Sequence, residues 1–219
     1  MKLAPLHEPT RDGETLTEFS HPLEPVTAVR STLITSSLAS LRNRGLFDRY
    51  DALQRSPHRE MILSSVAGAW LEVDVALAHY QACDALNLSS DEQLAIGKDV
   101  SKRIHETFLR WIFTAARGVG VTPWVLLRKG DSLQARLNRG GGLRLTRISE
   151  NFARVEIALS PLLEIPYFRN ALLGMYVAGV ELLASNVTAR SRVSSSLASK
   201  PHGALRAQEL RGTKSEFLG

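Results

Sequence analysis

Histidine and cysteine are the residues of this chain best suited to metal binding or group transfer, and their spacing limits what they can do. The six histidines are His7, His21, His58, His79, His105 and His202. No two stand at i,i+3 or i,i+4, and there is neither HExxH nor CxxC. A closed zinc site needs several such donors at ligand spacing, so none is expected. His79 and Cys83 stand i,i+4 on one expected helix, without a visible third donor. A hydrogen-bonded histidine beside a packed thiol is the expectation there. His105 lies near Phe108 and Trp111, next to Glu106. A single imidazole among aromatics is what an axial haem ligand requires, and also what any half-buried histidine looks like. The expectation is no cofactor, with haem the disfavoured exception, and no metal.

Nucleophilic chemistry lacks its parts. Ser194-Ser195-Ser196 is not a GxSxG elbow. Gly140-Gly141-Gly142 precedes an expected strand, whereas a phosphate cradle opens a helix. Gly118-Val119-Gly120 follows a helix, whereas a dinucleotide fingerprint follows a strand. With no nucleophile and no acid–base pair, the chain is read as a non-enzyme. Two binding chemistries remain. Gly120 to Trp124 followed by Arg128, Lys129 and Arg136 has the form of a turn and a basic recognition helix. That helix also carries Trp124, Leu126, Leu127, Leu133 and Leu137, which need a core and leave few side chains to read bases. The second is an apolar pocket, for which Trp70, His79, Trp111, Trp124 and Tyr176 are the candidate lining residues.

The elements that must position these residues follow from periodicity. Val29, Leu33, Leu38 and Leu41 mark a helix that Gly45 ends. Short helices are expected at Phe47–Leu53 and after Ser56-Pro57. A strong one covers Glu72–Leu86. Ser90 and Gln93 form a capping-box pattern that opens the longest helix, to about Arg117. Thr122-Pro123 starts another, to about Arg139. Leu143–Ile148 and Phe152–Leu159 then read as a strand hairpin, with Val155, Ile157 and Leu159 alternating against Arg154, Glu156 and Ala158. Tyr167–Ser185 is a very apolar helix and Val187–Val193 a third strand. The expected fold is α+β: N-terminal helices packed on a small antiparallel sheet, with a long apolar helix between the hairpin and the last strand. Residues 1–25, with four prolines, read as an extended or disordered lead, 26–193 as one domain, and 194–219 as a disordered basic tail.

The 219 residues carry a net charge of +5, of which the stretch from Arg190 onward carries +4. The body is therefore nearly neutral, and attraction to nucleic acid would come from this tail and from the basic stretch Arg128 to Arg154, solvated surface being the expectation for both. One cysteine in the whole chain favours a reducing compartment, and no window approaches a membrane span, so a cytoplasmic protein is expected.

Several short pieces, in order, carry a resemblance. They are Gly45-Leu46-Phe47-Asp48-Arg49-Tyr50, Ala67-Gly68-Ala69-Trp70-Leu71, Ala76-Leu77-Ala78-His79-Tyr80 and Asp84-Ala85-Leu86-Asn87-Leu88. Gly118 to Trp124, Gly140-Gly141-Gly142, Ala153-Arg154-Val155-Glu156 and Ile165-Pro166-Tyr167-Phe168-Arg169 continue the series. Together they resemble a family of uncharacterised myxobacterial proteins. That family is remotely similar to the superfamily of TRAPP subunits, vinyl-reductase-like ligand-binding domains and haem-NO-binding domains. The resemblance implies helices on a small antiparallel sheet. It also implies either binding of a small apolar ligand or dimerisation, here through the Tyr167–Ser185 helix. The tyrosine-serine-arginine signature of the haem branch is not recognisable. The resulting expectation is a bacterial sensory or regulatory domain that binds a small apolar molecule or a protein partner, with a nucleic-acid-associated regulator as the alternative.

Overall fold

The computed structural model describes residues 13–19, 22–115, 122–194 and 205–214; for 105–115, 192–194 and 205–214 it describes the backbone. Gly118-Val119-Gly120, Ser195-Ser196 and much of the 1–25 lead lie outside the described residues.

Helix α1, Ser31–Asn43, buries Leu33, Ile34, Leu38 and Leu41, the stripe its sequence spacing predicts. It ends in a Schellman turn. Gly45 takes φ +67, its amide donates to the Arg42 carbonyl (3.0 Å), and the Leu46 amide reaches the Leu41 carbonyl (2.9 Å). Helices α2, Phe47–Leu53, and α3, Arg59–Ser64, lead to α4, Val73–Asp84. Helix α5, Ser90–Ala115, is capped one residue earlier than expected. The Ser89 hydroxyl accepts the Glu92 amide (3.3 Å), and the Glu92 carboxylate accepts the Ser89 amide (2.8 Å). Gln93 turns inward, donating to the Leu88 carbonyl and accepting from Asn170.

The helix expected from Thr122 to Arg139 is two: α6, Pro123–Arg128, and α7, Gly130–Leu137. The Lys129 amide bonds the Leu126 carbonyl three residues back, a tightened turn, and Gly130 with its low helix propensity marks the break. Helix α8, Pro166–Glu181, is buried along most of its length. Its first turn receives the Asp84 carboxylate, which accepts the Tyr167 amide (2.8 Å), a negative group at a helix N-terminus.

The α+β class is as expected, with two antiparallel sheets among the described residues. The larger has five strands in the order β1-β5-β6-β8-β7: β1 Glu14–Thr17, β5 Gly142–Ser149, β6 Phe152–Ala158, β7 Ala184–Ser194 and β8 Leu205–Lys214. In the hairpin, Leu143 lies opposite Ile157 and Leu145 opposite Val155, all buried. On the other face, Arg144 lies opposite Glu156 and pairs with it at 2.7 Å. One face is thus core and one is wet. The smaller sheet, β3-β2-β4, joins Trp70–Glu72, Ala28–Arg30 and Asn138–Arg139.

Two expectations need correction. The expected domain limits at 26 and 193 are crossed by β1 and β8, and the segment read as a disordered tail supplies β8, the strand between β6 and β7. The run Leu-Arg-Ala-Gln-Glu-Leu-Arg-Gly-Thr-Lys has no sustained alternation, so nothing local marks it as a strand. Its ladders to two neighbours decide its conformation.

The α5–α8 crossing brings backbones unusually close. A Cβ on Gly97 would stand 1.8 Å from the Ala171 carbonyl oxygen, and one on Gly174 2.1 Å from that of Leu94. The Ser101 hydroxyl donates to the Met175 carbonyl (3.0 Å) and Lys98 pairs with Glu181 (2.6 Å) across the same seam. Partners rise together along both helices, so the two run side by side in the same sense.

Candidate functional site

Two places bring chemistry-bearing residues together. The first is a polar thread inside the helical core. Tyr50 from α2 and His79 from α4 are both fully buried, with the Tyr50 oxygen 2.8 Å from His79 Nδ1. Gln54 donates to the Tyr50 oxygen (3.1 Å) and Ser37 Oγ lies 3.0 Å from His79 Nε2. The arrangement that gives each atom a partner has Tyr50 donating to Nδ1 and Nε2–H donating to Ser37. Burial lowers the His79 imidazole to about 3, so it is neutral at ordinary pH. Cys83 Sγ is 3.7 Å from Nε2, and burial pushes its thiol up. The pair at i,i+4 is therefore the packed histidine and thiol of the sequence reading. The Tyr167 hydroxyl, also fully buried, has Cys83 and Ser37 as polar neighbours but makes no hydrogen bond among the described residues. Among the described residues no group of three His, Cys, Asp or Glu side chains could hold a metal ion.

A buried thiol kept protonated, as Cys83 is, reacts only when the fold opens. Labelling by an aromatic disulfide reagent is expected to be slow in buffer and fast in denaturant, its native rate tracking unfolding. Prompt stoichiometric labelling of the folded chain would contradict this burial.

The second place is a cavity between the inner face of the large sheet and the helices. Its empty volume is about 1070 Å³, the open mouth included. Leu143, Val155 and Ile157 floor it from the hairpin, and Leu172, Met175 and Tyr176 of α8 face it. Helices α1 and α5 contribute Leu33, Ser101 and Ile104, and α6–α7 form the remaining wall. The cavity exists because α8 offers two different faces: Tyr167, Ala171, Gly174 and Val177 are fully packed, while Leu172, Met175 and Tyr176 stay half-buried. Burial raises the Tyr176 phenol above its ordinary value, so it stays protonated. The polar side chains of the lining are Lys129, Gln134 and Asn138 along the α6–α7 wall, Ser160 after β6, Ser101 of α5 and the Tyr176 phenol.

Of the five expected pocket residues, Tyr176 alone among those with described side chains lines this cavity. His79 is in the core thread. Trp70 sits on the small sheet beneath two guanidinium groups, Arg30 at 4.1 Å and Arg139 at 4.6 Å. Trp124 packs against the core and under Arg147 at 4.9 Å. The Trp111 and His105 side chains lie outside the described residues. Aromaticity does not single out the residues of this cavity, because rings serve core and cation–π packing equally well. The lining is mostly aliphatic and has no sequence mark. Of the basic trio, Arg128 and Arg136 are exposed, while Lys129 stands at the cavity. Leu126 and Leu127 of α6 are buried, so that helix is committed to the core and is not free to enter a groove. The helix proposed for dimerisation is likewise used within the chain, against α5 and the sheet.

Comparison with protein families and with curated proteins finds no match. Solved structures do match. The crystal structure of an Fe(II) unliganded H-NOX protein from K. algicida has TM-score 0.62 at 12% identity, over 87% of this chain and 100% of that one. A Cs H-NOX mutant carrying 4-cyano-L-phenylalanine at site 5 has TM-score 0.59 at 11% identity, over 87% and 100%. An oxygen-binding H-NOX domain related to soluble guanylate cyclases, in its oxygen complex, has TM-score 0.56 at 11% identity, over 87% and 98%. The chain has the H-NOX fold. This agrees with the remote similarity to haem-NO-binding domains. No helix among the described residues is long and apolar enough to cross a membrane.

The expectation of no cofactor is overturned by these neighbours, since the H-NOX family they represent is one of haem proteins and points to haem. The cavity suits a macrocycle in its mostly apolar lining. Among the described residues its lining offers the iron no strong donor. The described lining residues include no imidazole and no thiol, the nearest substitutes being the Met175 thioether and the protonated Tyr176 phenol.

Proposed function

We propose that this chain is a sensory domain, not an enzyme, that binds an apolar ligand in the cavity between α8 and the β5–β6 hairpin, with haem the first candidate. The observation that carries this reading is the cavity: a mostly apolar space with a few polar groups in its lining, within a fold that H-NOX domains share. The polar thread around His79 is consumed by its own hydrogen bonds and leaves no activated nucleophile, which supports a binding role.

The test is titration of the purified chain with haemin and, separately, with the neutral dye Nile red, alongside Leu172→Trp. Leu172 is half-buried and faces the cavity, so an indole there fills space without displacing core. The expected result is a Soret band distinct from free haemin, dye fluorescence in the unloaded chain, and loss of both by at least about tenfold in the variant. His105→Ala, read by the position of the Soret band, assigns or removes that histidine as an iron donor. Failure of both probes to bind, or equal binding by Leu172→Trp, would overturn the cavity as the site.

A further inference from the structure

Leu172, Met175, Tyr176 and Gly179 of α8 stand at i, i+3, i+4 and i+7, and this one stripe of the helix lines the cavity. Tyr176 is its polar member. Tyr167, nine residues earlier and so on the opposite side of α8, is sealed in the packed core, whereas Tyr176 is half-buried at the cavity wall. Burial alone shifts the Tyr176 phenol, with no charge or hydrogen bond acting on it. Its hydroxyl has no hydrogen-bond partner among the described residues. Other polar groups of the lining are already engaged. The Ser101 hydroxyl donates to the Met175 carbonyl (3.0 Å), Asn138 Nδ2 donates to Gln134 Oε1 (3.0 Å), and Lys129 has an interaction of its own. A phenol held out of water without a partner forfeits a hydrogen bond, and an acceptor atom on a ligand restores it. A hydrocarbon of the same shape leaves the phenol bare.

We infer that Tyr176 sets the specificity of this cavity, whose occupant is an apolar molecule bringing an acceptor oxygen against α8. This deepens the proposed function and rests on the cavity being the site. A site built around a hydrogen-bonding group rejects the analogue that cannot pair with it, because the group is then left buried and unmatched. A ring ketone and a porphyrin acid each carry an acceptor oxygen on an apolar body, so both have the required chemistry.

The experiment displaces Nile red from the full chain, with the dye's own affinity measured first for the wild type, Tyr176→Phe and Ser160→Ala. Two pairs of probes compete with it: 9-fluorenone against fluorene, and protoporphyrin IX against octaethylporphyrin. Within each pair the ring skeleton is shared and only the first member carries oxygen. Tyr176→Phe removes the hydroxyl and keeps the ring. For at least one pair, the advantage of the oxygenated member is expected to be about tenfold larger in the wild type than in Tyr176→Phe, the scale of one hydrogen bond. Ser160→Ala, the control at another hydroxyl of the lining, should leave that advantage within about twofold. The pair that responds shows whether the oxygen is a ketone's or a porphyrin's. Without ligand, Tyr176→Phe should melt no lower than the wild type, because no internal hydrogen bond is lost. A fall of more than about 3 °C would reveal a partner within the fold and overturn the inference. So would an advantage that survives Tyr176→Phe in both pairs, or one lost in Ser160→Ala, while Nile red binding leaves the cavity standing. If no probe binds, Nile red included, the cavity reading and this inference fall together.

Discussion

Gly97→Ala and Gly174→Ala are each expected to destabilise the chain by about 3 kcal/mol, the upper part of the range for overpacking. For a chain of this size that lowers Tm by about 6–12 °C. Two effects compete. Alanine in a helix interior is better than glycine by about 1 kcal/mol. Against it, the new methyl groups would stand 1.8 and 2.1 Å from carbonyl oxygens of the facing helix, and backbone cannot step aside as a side chain can. Close approach wins, because relieving it means separating α5 from α8. The two sites share one seam, so the double variant should cost clearly less than twice a single one: once the helices have parted, the second methyl meets open space. Both helices line the cavity, so Nile red binding should change alongside stability. Thermal melts of the two singles and the double decide the matter. A loss within about 2 °C for each single would mean that the crossing is looser than described.

Stability should also fall steeply as the solution is acidified below pH 6.5, with His79 as a principal cause. The imidazole is neutral in the folded chain down to about pH 3 because burial disfavours its charged form, and it regains its ordinary value of 6.5 on unfolding. Between those two values the unfolded chain binds a proton that the folded one does not. Each unit of pH lost in this window therefore removes up to about 1.4 kcal/mol. The contribution is whole above pH 6.5 and is lost as pH falls toward 3. The variant His79→Asn keeps a polar group near Tyr50 and Ser37 but cannot titrate. It should be less stable than the wild type at pH 7.5, by about 1–3 kcal/mol for imperfectly satisfied partners. Its deficit should shrink as pH drops, so that the two denaturation midpoints converge and then cross in acid. Other titrating groups are common to both proteins and cancel in the difference. Parallel midpoint-against-pH curves from 7.5 to 4.5 would show that His79 does not carry this dependence.

The two predictions rest on features of unequal visibility in the sequence. His79 and Cys83 at i,i+4, without a third donor, already implied a packed pair, and the fold bears that out in the Tyr50–His79–Ser37 thread. Gly97 and Gly174 left only the faint sign of glycine inside a helical run. Nothing in either segment names the partner helix, which lies more than seventy residues away in the chain.

Local order was written in local sequence. The α1 stripe, the glycine stop at Gly45, the hairpin alternation at Val155 and Ile157, and the apolar α8 all follow from side-chain period and turn chemistry. These are properties of neighbouring residues and need no partner. Tertiary structure alone decided what lies between elements: the α5–α8 approach, the insertion of β8 between β6 and β7, and the cavity between α8 and the β5–β6 hairpin. A strand with no hydrophobic alternation takes its shape from the ladders on either side. A binding space is a shortfall of packing among aliphatic residues that look, one by one, like ordinary core.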